Sequence, residues 1–300
     1  MRIKYGTSDI NIDVTEICYA QLLNANNIIT IPSGDANRAH YFTDPIFGTL
    51  KTIFITFEDD TTLEYDHTQV IHVNRLTYNI TTTDIINKIN NKINDLHSKL
   101  TIHHGSIKDE LPEQEMVVRY LTGNEKVLEI GGNIGRNSLI IGSILGNNKN
   151  NFVTLECDPD IAGQLRHNRD LNNMTFHIES SALSKRTLIQ KGWDTIASDT
   201  LLPGYRTVNT MTWSDLNHKY NILFDTLVLD CEGAFYYILM DMPEILNNIS
   251  LIIMENDYWD MSHKNYIDDI LTKHDFYVDF VQSGGWGPCF NNFFEVWKRR

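Results

Sequence analysis

Val127-Leu128-Glu129-Ile130-Gly131-Gly132-Asn133-Ile134-Gly135 is an apolar run that breaks into glycines, and the chain then resumes as Ser138-Leu139-Ile140-Ile141. Val127, Leu128 and Ile130 suit a parallel strand buried on both faces. Gly131 and Gly135 let the backbone turn sharply and pass close to a ligand. Gly142 falls inside the helix that follows. A strand, a glycine turn and a helix in that order make a nucleotide-binding device, with helix N–H groups facing the ligand. Without a ligand, the same order is an ordinary structural turn.

The spacing is Glu129-x-Gly131-x-x-x-Gly135, with an acid inside the strand end. A dinucleotide fingerprint wants G-x-G-x-x-G, which Gly131-Gly132-Asn133 does not supply. The pattern therefore points to S-adenosylmethionine rather than to a nicotinamide dinucleotide. Phe152-Val153-Thr154-Leu155-Glu156 reads as the second strand. Its acid follows the first glycine by about 25 residues, where a carboxylate accepts ribose hydroxyls in nucleoside sites of this kind.

Further strands are expected at 175–178, 225–230, 250–255, 276–281 and 292–297, with helices between them, which implies a mainly parallel sheet. The last two are joined by Gly284-Gly285-Trp286-Gly287-Pro288, too short for a helix, so they form an antiparallel pair at the sheet edge. A helix over 113–121, with Met116, Val117 and Tyr120 on one face, precedes the glycine strand. Upstream, residues 1–80 read as a small β-rich domain: Ile28–Pro32, Lys51–Phe57, Leu63–Tyr65 and Val70–Val73 are strand-like, with a hairpin turn at 58–62. Thr83 or Asp84 caps a helix whose Ile86, Ile89, Ile93, Leu96 and Leu100 form a heptad stripe. That stripe packs either on its own protein or, as a homodimer through 84–100, on a second copy. Residues 101–112 read as a linker punctuated by Gly105 and Pro112. The expected domains are 1–80, 81–112 and 113–300.

The chain has 300 residues, 42% of them hydrophobic, and a formal net charge of −14. That charge argues against a nucleic-acid partner, which needs a basic surface. Cys18, Cys157, Cys231 and Cys289 are scattered without a C-x-x-C, as expected of reduced thiols in a cytoplasmic protein. No apolar run approaches a membrane span, and Met1-Arg2-Ile3-Lys4-Tyr5-Gly6 has no apolar signal core. The wealth of Asn and Ile fits an AT-rich genome such as that of a large DNA virus, which would place the protein in a host cytoplasm.

Thr226-Leu227-Val228-Leu229-Asp230-Cys231-Glu232-Gly233-Ala234 is the second informative stretch. An apolar strand delivers two carboxylates and a glycine to the C-terminal edge of the sheet, where ligands of open α/β sheets bind. At this point residues 113–260 resemble the FkbM-like methyltransferases that use S-adenosylmethionine. Their D-x-G-A-N-x-G is represented by Glu129–Gly135, and their E-P-x-P by Glu156-Cys157-Asp158-Pro159, with Cys in place of the first Pro. N-x-x-x-N is Asn168–Asn172, A-x-S is Ala182-Leu183-Ser184, and T-x-D-x-L corresponds to Thr212–Leu216. K-I-D-V-E-G-A is Val228–Ala234, with Val for Lys, and a late strand ends in Glu255.

The resemblance implies a Rossmann-like seven-stranded class I methyltransferase sheet, mostly parallel with one reversed strand. It implies O-methyl transfer to a hydroxyl of a sugar, a glycan or another small molecule. Glu129, Gly131, Gly132, Asn133 and Gly135 would line the methionine end of the cofactor. Glu156 and Cys157 would hold the ribose side, Ser181 and Ala182 the adenine, and Asp230 the methyl end. A hydroxyl acceptor needs a base, for which Asp230 comes first, then Glu232 and Glu255; the competing reading of Glu232 is a cap on the next helix. No metal is the favoured reading; Mg2+ on Asp230, Glu255 and Asp257 is the alternative. His103, His104 and His263 have no ligand-like spacing, and Trp286 is either a sugar-stacking ring or an apolar plug. Two other functions compete: a nucleic-acid methyltransferase, faintly suggested by Glu255-Asn256-Asp257-Tyr258, and a non-catalytic assembly module on an inert methyltransferase scaffold.

Overall fold

The computed structural model describes residues 1–146 and 148–300. The chain divides into two compact units, Met1–Asn90 and Asn91–Arg300.

The first unit contains β1 (Arg2–Gly6), β2 (Asn11–Asp13), α1 (Thr15–Ile17), β3 (Ile28–Ile31), α2 (Asp35–Phe42), β4 (Thr52–Thr56), β5 (Thr62–Tyr65), β6 (Ile71–Asn74) and β7 (Ile80–Thr82). The strands form two antiparallel sheets, ordered β2-β1-β4-β5 and β3-β6-β7. Ile3 and Tyr5, Ile53 and Ile55, Ile29 and Ile31, and Ile71 and Val73 alternate inward and share one core, the period-two pattern of a strand with one buried face. Lys51 is buried and is neutralised by Asp35 at 2.8 Å and Asp44 at 3.0 Å; a buried charge persists only when paired in this way. The sequence reading finds β3, β4, β5 and β6 but misses β1, β2, β7 and α2. In β1 the two apolar residues are masked by Arg2 and Lys4 on the other face.

The chain passes from the first unit to the second through α3 (Thr83–Lys99). Of its stripe, Ile93 is buried, Ile89, Leu96 and Leu100 are half-buried, and Ile86 is exposed.

The second unit opens with α4 (Leu111–Tyr120), then β8 (Val127–Ile130), α5 (Arg136–Ile144), β9 (Phe152–Leu155), α6 (Pro159–Leu171) and β10 (His177–Glu179). There follow β11 (Ala182–Leu183), β12 (Leu188–Lys191), β13 (Asp194–Ala197), β14 (Arg206–Val208), β15 (Thr210–Met211) and α7 (Trp213–Tyr220). The rest is β16 (Thr226–Leu229), α8 (Ala234–Asp241), β17 (Leu251–Glu255), α9 (Met261–Lys273), β18 (Phe276–Gln282) and β19 (Phe294–Arg299).

Seven strands make one sheet in the order β10-β9-β8-β16-β17-β19-β18. Only β19 runs against the others, and it pairs antiparallel with both β17 and β18. This is the Rossmann-like sheet with a late reversed strand that the sequence leads one to expect. All four residues of β8, β9 and β16 are buried, as is the apolar run of β17. Covering both faces explains why these strands read as continuous apolar runs rather than alternations. Each such side chain contributes roughly 1.5–3 kcal/mol through burial.

From β8 the strand order proceeds outward in one direction and from β16 in the other. That reversal opens a crevice at their C-terminal ends, the usual ligand position in an open α/β sheet. The expected helix between β10 and β16 is present as α7, but the strands β11 to β15 that precede it are absent from the sequence reading. There the chain forms a three-stranded antiparallel sheet with β12 at its centre, β13-β12-β14, and a short parallel pair, β11 with β15. Lys191 pairs with Asp194, so Gly192-Trp193 is a two-residue hairpin loop, and Gly192 has φ +59°. A positive φ at the first loop position is what such hairpins need. Thr212 and Asp215 cap α7 reciprocally, which gives the Thr212–Asp215 segment a structural task. Among the described residues, no helix is long and apolar enough to cross a membrane.

Candidate active site

The site is built from the turn after β8. The N–H groups of Gly131 and Gly132 donate to the Leu155 carbonyl at 3.0 and 2.9 Å, which fastens the turn to the end of β9. Gly131 has φ +94°, and a Cβ there would fall 1.6 Å from the Asp230 carbonyl oxygen. Only glycine lets the ends of β8 and β16 come this close. Gly132 is excluded from a side chain by Thr154 Oγ1, 2.2 Å from the Cβ position. Gly135, at φ +95°, starts α5. Gly131 reaches the cleft, whereas Gly132 and Gly135 shape the turn behind it.

Glu129 does not stand where its expected role would put it. It is buried beneath the turn and accepts a hydrogen bond from the Ser138 hydroxyl. Loss of solvation pushes its carboxyl up to about 7. The side chain props the turn from below and is absent from the cleft wall. The sign of its effect on stability follows from that shift. The unfolded chain ionises this carboxyl near its ordinary value and the folded protein only near 7, so stability is greatest in acid and falls as pH rises across that window. Denaturant unfolding of the wild type is expected to lose roughly 2–3 kcal/mol between pH 5 and pH 8 from this group. Glu129→Gln should flatten the pH dependence by that amount; an unchanged slope would mean that Glu129 is not buried in this state.

Glu156 follows β9 and is held on both sides. The Asn133 N–H donates to its Oε2 at 2.9 Å and the Asp158 N–H to its Oε1 at 2.8 Å. Burial raises its proton affinity, and the two backbone donors oppose that. Each oxygen keeps further acceptor capacity. Asp158 caps α6 through the N–H groups of Asp160 and Ile161 and is paired with Arg206 of β14.

A cleft of about 640 Å³ opens here, within the size range of small-molecule sites. Gly131, Asn133, Glu156, Cys157, Ser181, Ala182, Asp230 and Glu232 all line it. Thus the fold brings together residues that lie a hundred positions apart in the chain. Ser181 is buried, and its hydroxyl has no protein partner. A buried hydroxyl without a partner inside a cleft wall calls for a polar group from outside.

The β13-β12-β14 sheet supplies the wall that the sequence reading misses. Leu188, Gln190, Trp193 and Thr195 line the cleft, with Trp193 at the hairpin tip and 68% exposed. The available signal was the alternation on both sides of Gly192-Trp193. Arg186 and Tyr237 complete that side. The Arg186 guanidinium is bonded to Asp241 at 2.6 and 2.9 Å and lies 4.8 Å from the centre of the Tyr237 ring.

The floor near Asp230 is acidic. Glu255 hydrogen-bonds to Glu113 and Asp230, and burial among them pushes its carboxyl up to about 12. Asp230 is raised well above the carboxylate range, first by loss of solvation and then by Glu110 and Glu113. These groups share protons because adjacent buried carboxylates cannot all ionise. Glu232 adds a further charge facing Asp230, and its own hydrogen bond to Asp257 and partial burial bring it to about 7. Glu255 lies behind Asp230 rather than on the cleft wall. Asp230, Glu255 and Asp257 are not grouped to hold an ion: among the described residues, the group placed to do so is His103, His104 and His167, whose ligand atoms lie within 4.8 Å of one another. His263 stacks on Tyr236 at 3.8 Å, and Trp286 is exposed beside Phe293.

No family model matches the chain, and no curated protein matches it. Among solved structures it is similar to an O-methyltransferase from Bacillus cereus in complex with SAH, at 13% identity over 70% of this chain and 88% of that one, TM-score 0.39. It is similar to a ribosomal protein L11 methylase from Lactobacillus delbrueckii subsp. bulgaricus, at 11% identity over 66% of this chain and 82% of that one, TM-score 0.40. It is also similar to the methyltransferase FkbM from Methylobacillus flagellatus KT, at 14% identity over 72% of this chain and 60% of that one, TM-score 0.39.

Proposed function

We propose that this chain is an S-adenosylmethionine-dependent methyltransferase that acts on a hydroxyl of a sugar or another small molecule. The observation that carries the reading is Glu156, clamped by the N–H groups of Asn133 and Asp158 on the wall of a cleft at the strand-order reversal. Its free acceptor sites suit a vicinal diol, as in ribose. The unpartnered Ser181 hydroxyl suits the polar edge of a base, and the apolar faces of Leu155 and Ile161 suit its ring. These residues fit a nucleoside with a short charged tail, which Gly131 leaves room for at the turn.

S-adenosylmethionine, when bound, supplies an electrophilic methyl group. The protein then has to align the acceptor and take its proton. Glu232 lines the cleft, and its hydrogen bond to Asp257 holds it near neutrality, the most effective range for a general base at physiological pH. Asp230 stands in a proton-sharing group with Glu255, which suits it to orient the acceptor hydroxyl. We therefore place Glu232 first as base, ahead of Asp230. The net charge of −14 weighs against a polyanionic acceptor.

The test is transfer of labelled methyl from S-adenosylmethionine to a panel of sugars, nucleotide sugars, small phenols and RNA. Because the base works when ionised, kcat/KM is expected to rise with pH through about 7 and level off above it. Glu232→Gln should remove that limb and lower kcat by about 10²–10⁴-fold. An unaltered profile in this variant removes Glu232 from the reaction, and labelling of RNA alone removes the small-molecule reading.

A further inference from the structure

His103 and His104 follow α3, and His167 lies on α6, more than sixty residues later in the chain. Their spacing resembles no ligand motif, yet the fold brings the three imidazoles together. Ring centres are 4.9 Å apart for His103 and His104, 4.9 Å for His103 and His167, and 5.1 Å for His104 and His167. His104 Nε2 lies 3.0 Å from His167 Nδ1. One nitrogen from each ring falls within 4.8 Å of the other two.

The arrangement is held by the backbone. Asn168 is fully buried, and its Oδ1 accepts from the N–H groups of His103 at 2.8 Å and His104 at 3.1 Å. Its Nδ2 donates to the carbonyls of His104 at 3.2 Å and Ile134 at 2.9 Å. One turn on, Asn172 grips Thr101 in the same way, accepting from its N–H at 2.8 Å and donating to its carbonyl at 2.7 Å. The segment that reads as a linker is thus fixed along α6, and the residue beside Asn168 is His167.

We propose that His103, His104 and His167 form a binding site for a divalent transition metal of the zinc class. Imidazole is the preferred ligand of zinc, copper and nickel, whereas magnesium and calcium require oxygen donors. A tetrahedral zinc ion with Zn–N bonds of about 2.0–2.1 Å holds its nitrogens about 3.3 Å apart. His104 and His167 already meet that spacing, and His103, which is exposed, reaches it by a side-chain rotation. Three histidines leave the fourth position to water. None of the three lines the cleft, so the ion acts as a clamp between the 101–104 segment and α6.

The experiment uses the full chain without a histidine tag, stripped by chelation and titrated with Zn2+ in a calorimeter. One ion per chain is expected. Outer-shell partners of a metal are worth about 10–100-fold in affinity, and a ligand at least as much, so His167→Ala and His103→Ala should each weaken binding by about 100-fold or more. X-ray absorption at the zinc edge should show nitrogen neighbours at about 2.0–2.1 Å and no sulfur. Zn2+ should raise Tm in the wild type and leave it unchanged in His167→Ala, whose metal-free Tm stays near that of the wild type. Binding that survives in both histidine variants, sulfur in the absorption spectrum, or no zinc-dependent rise in Tm would overturn the assignment.

Discussion

Replacing Glu156 by Ala is expected to weaken S-adenosylmethionine binding by about 150-fold or more, the equivalent of ~3 kcal/mol or more. Hydrogen bonds to a charged acceptor each count for about 1.5–3 kcal/mol, and the proposed ribose contact uses two of them. The clamp that orients the carboxylate also makes the loss larger. Without Oε1 and Oε2, the N–H groups of Asn133 and Asp158 lose their acceptor at a nearly buried position. The turn is then under-satisfied as well as missing a contact. Glu156→Gln should be intermediate, because the amide can face only one of the two donors with an oxygen. Calorimetry gives the affinities, and far-ultraviolet circular dichroism checks that the sheet remains. Wild-type affinity in Glu156→Ala would mean that the carboxylate touches no ligand.

Gly131→Ala is expected to be the most damaging single methyl in the second unit. Its Cβ would lie 1.6 Å from the Asp230 carbonyl oxygen and 2.6 Å from the carbonyl carbon, both backbone atoms directly after the end of β16. No side-chain rotation relieves that overlap, and the φ of +94° adds strain of roughly 1–3 kcal/mol. The ends of β8 and β16 must separate, which costs more than about 4 kcal/mol and disrupts the floor beside Asp230. The same substitution at Gly163 should act in the opposite direction. That glycine lies inside α6 with nothing within 4 Å of its Cβ position, so alanine there should stabilise by about 0.4–1 kcal/mol. Denaturant unfolding of the two variants compares one chemical change in two settings. Equal effects would contradict the close approach of the two strands.

Much of this could be read from the residues. Val127–Ile130, Thr226–Leu229 and Leu251–Glu255 are legible as strands because both faces are covered, which leaves an uninterrupted apolar run. Gly131 is legible because a turn this tight excludes any side chain. Asp230, Glu232 and Glu156 are legible because parallel strands deliver their C-terminal residues to one edge. The β13-β12-β14 sheet is not, since its short strands alternate weakly and its hairpin depends on a single glycine. Glu129 misleads because an acid at a strand end reads as ligand-facing, while the strand's burial pattern turns it under the loop toward Ser138. The order of the acids also escapes sequence reasoning. Which carboxyl shares a proton depends on Glu113, brought by α4, and on Asp257, brought past the end of β17. The three histidines are the extreme case, because only the grip of Asn168 on the backbone of His103 and His104 brings them to His167.

The most direct test of the central claim is a calorimetric titration of the full chain with S-adenosylmethionine and with its demethylated product, S-adenosylhomocysteine. One saturable site per chain is expected for each compound, with affinity lost in Glu156→Ala. An absence of binding by the folded wild type, or binding indifferent to Glu156, would contradict it.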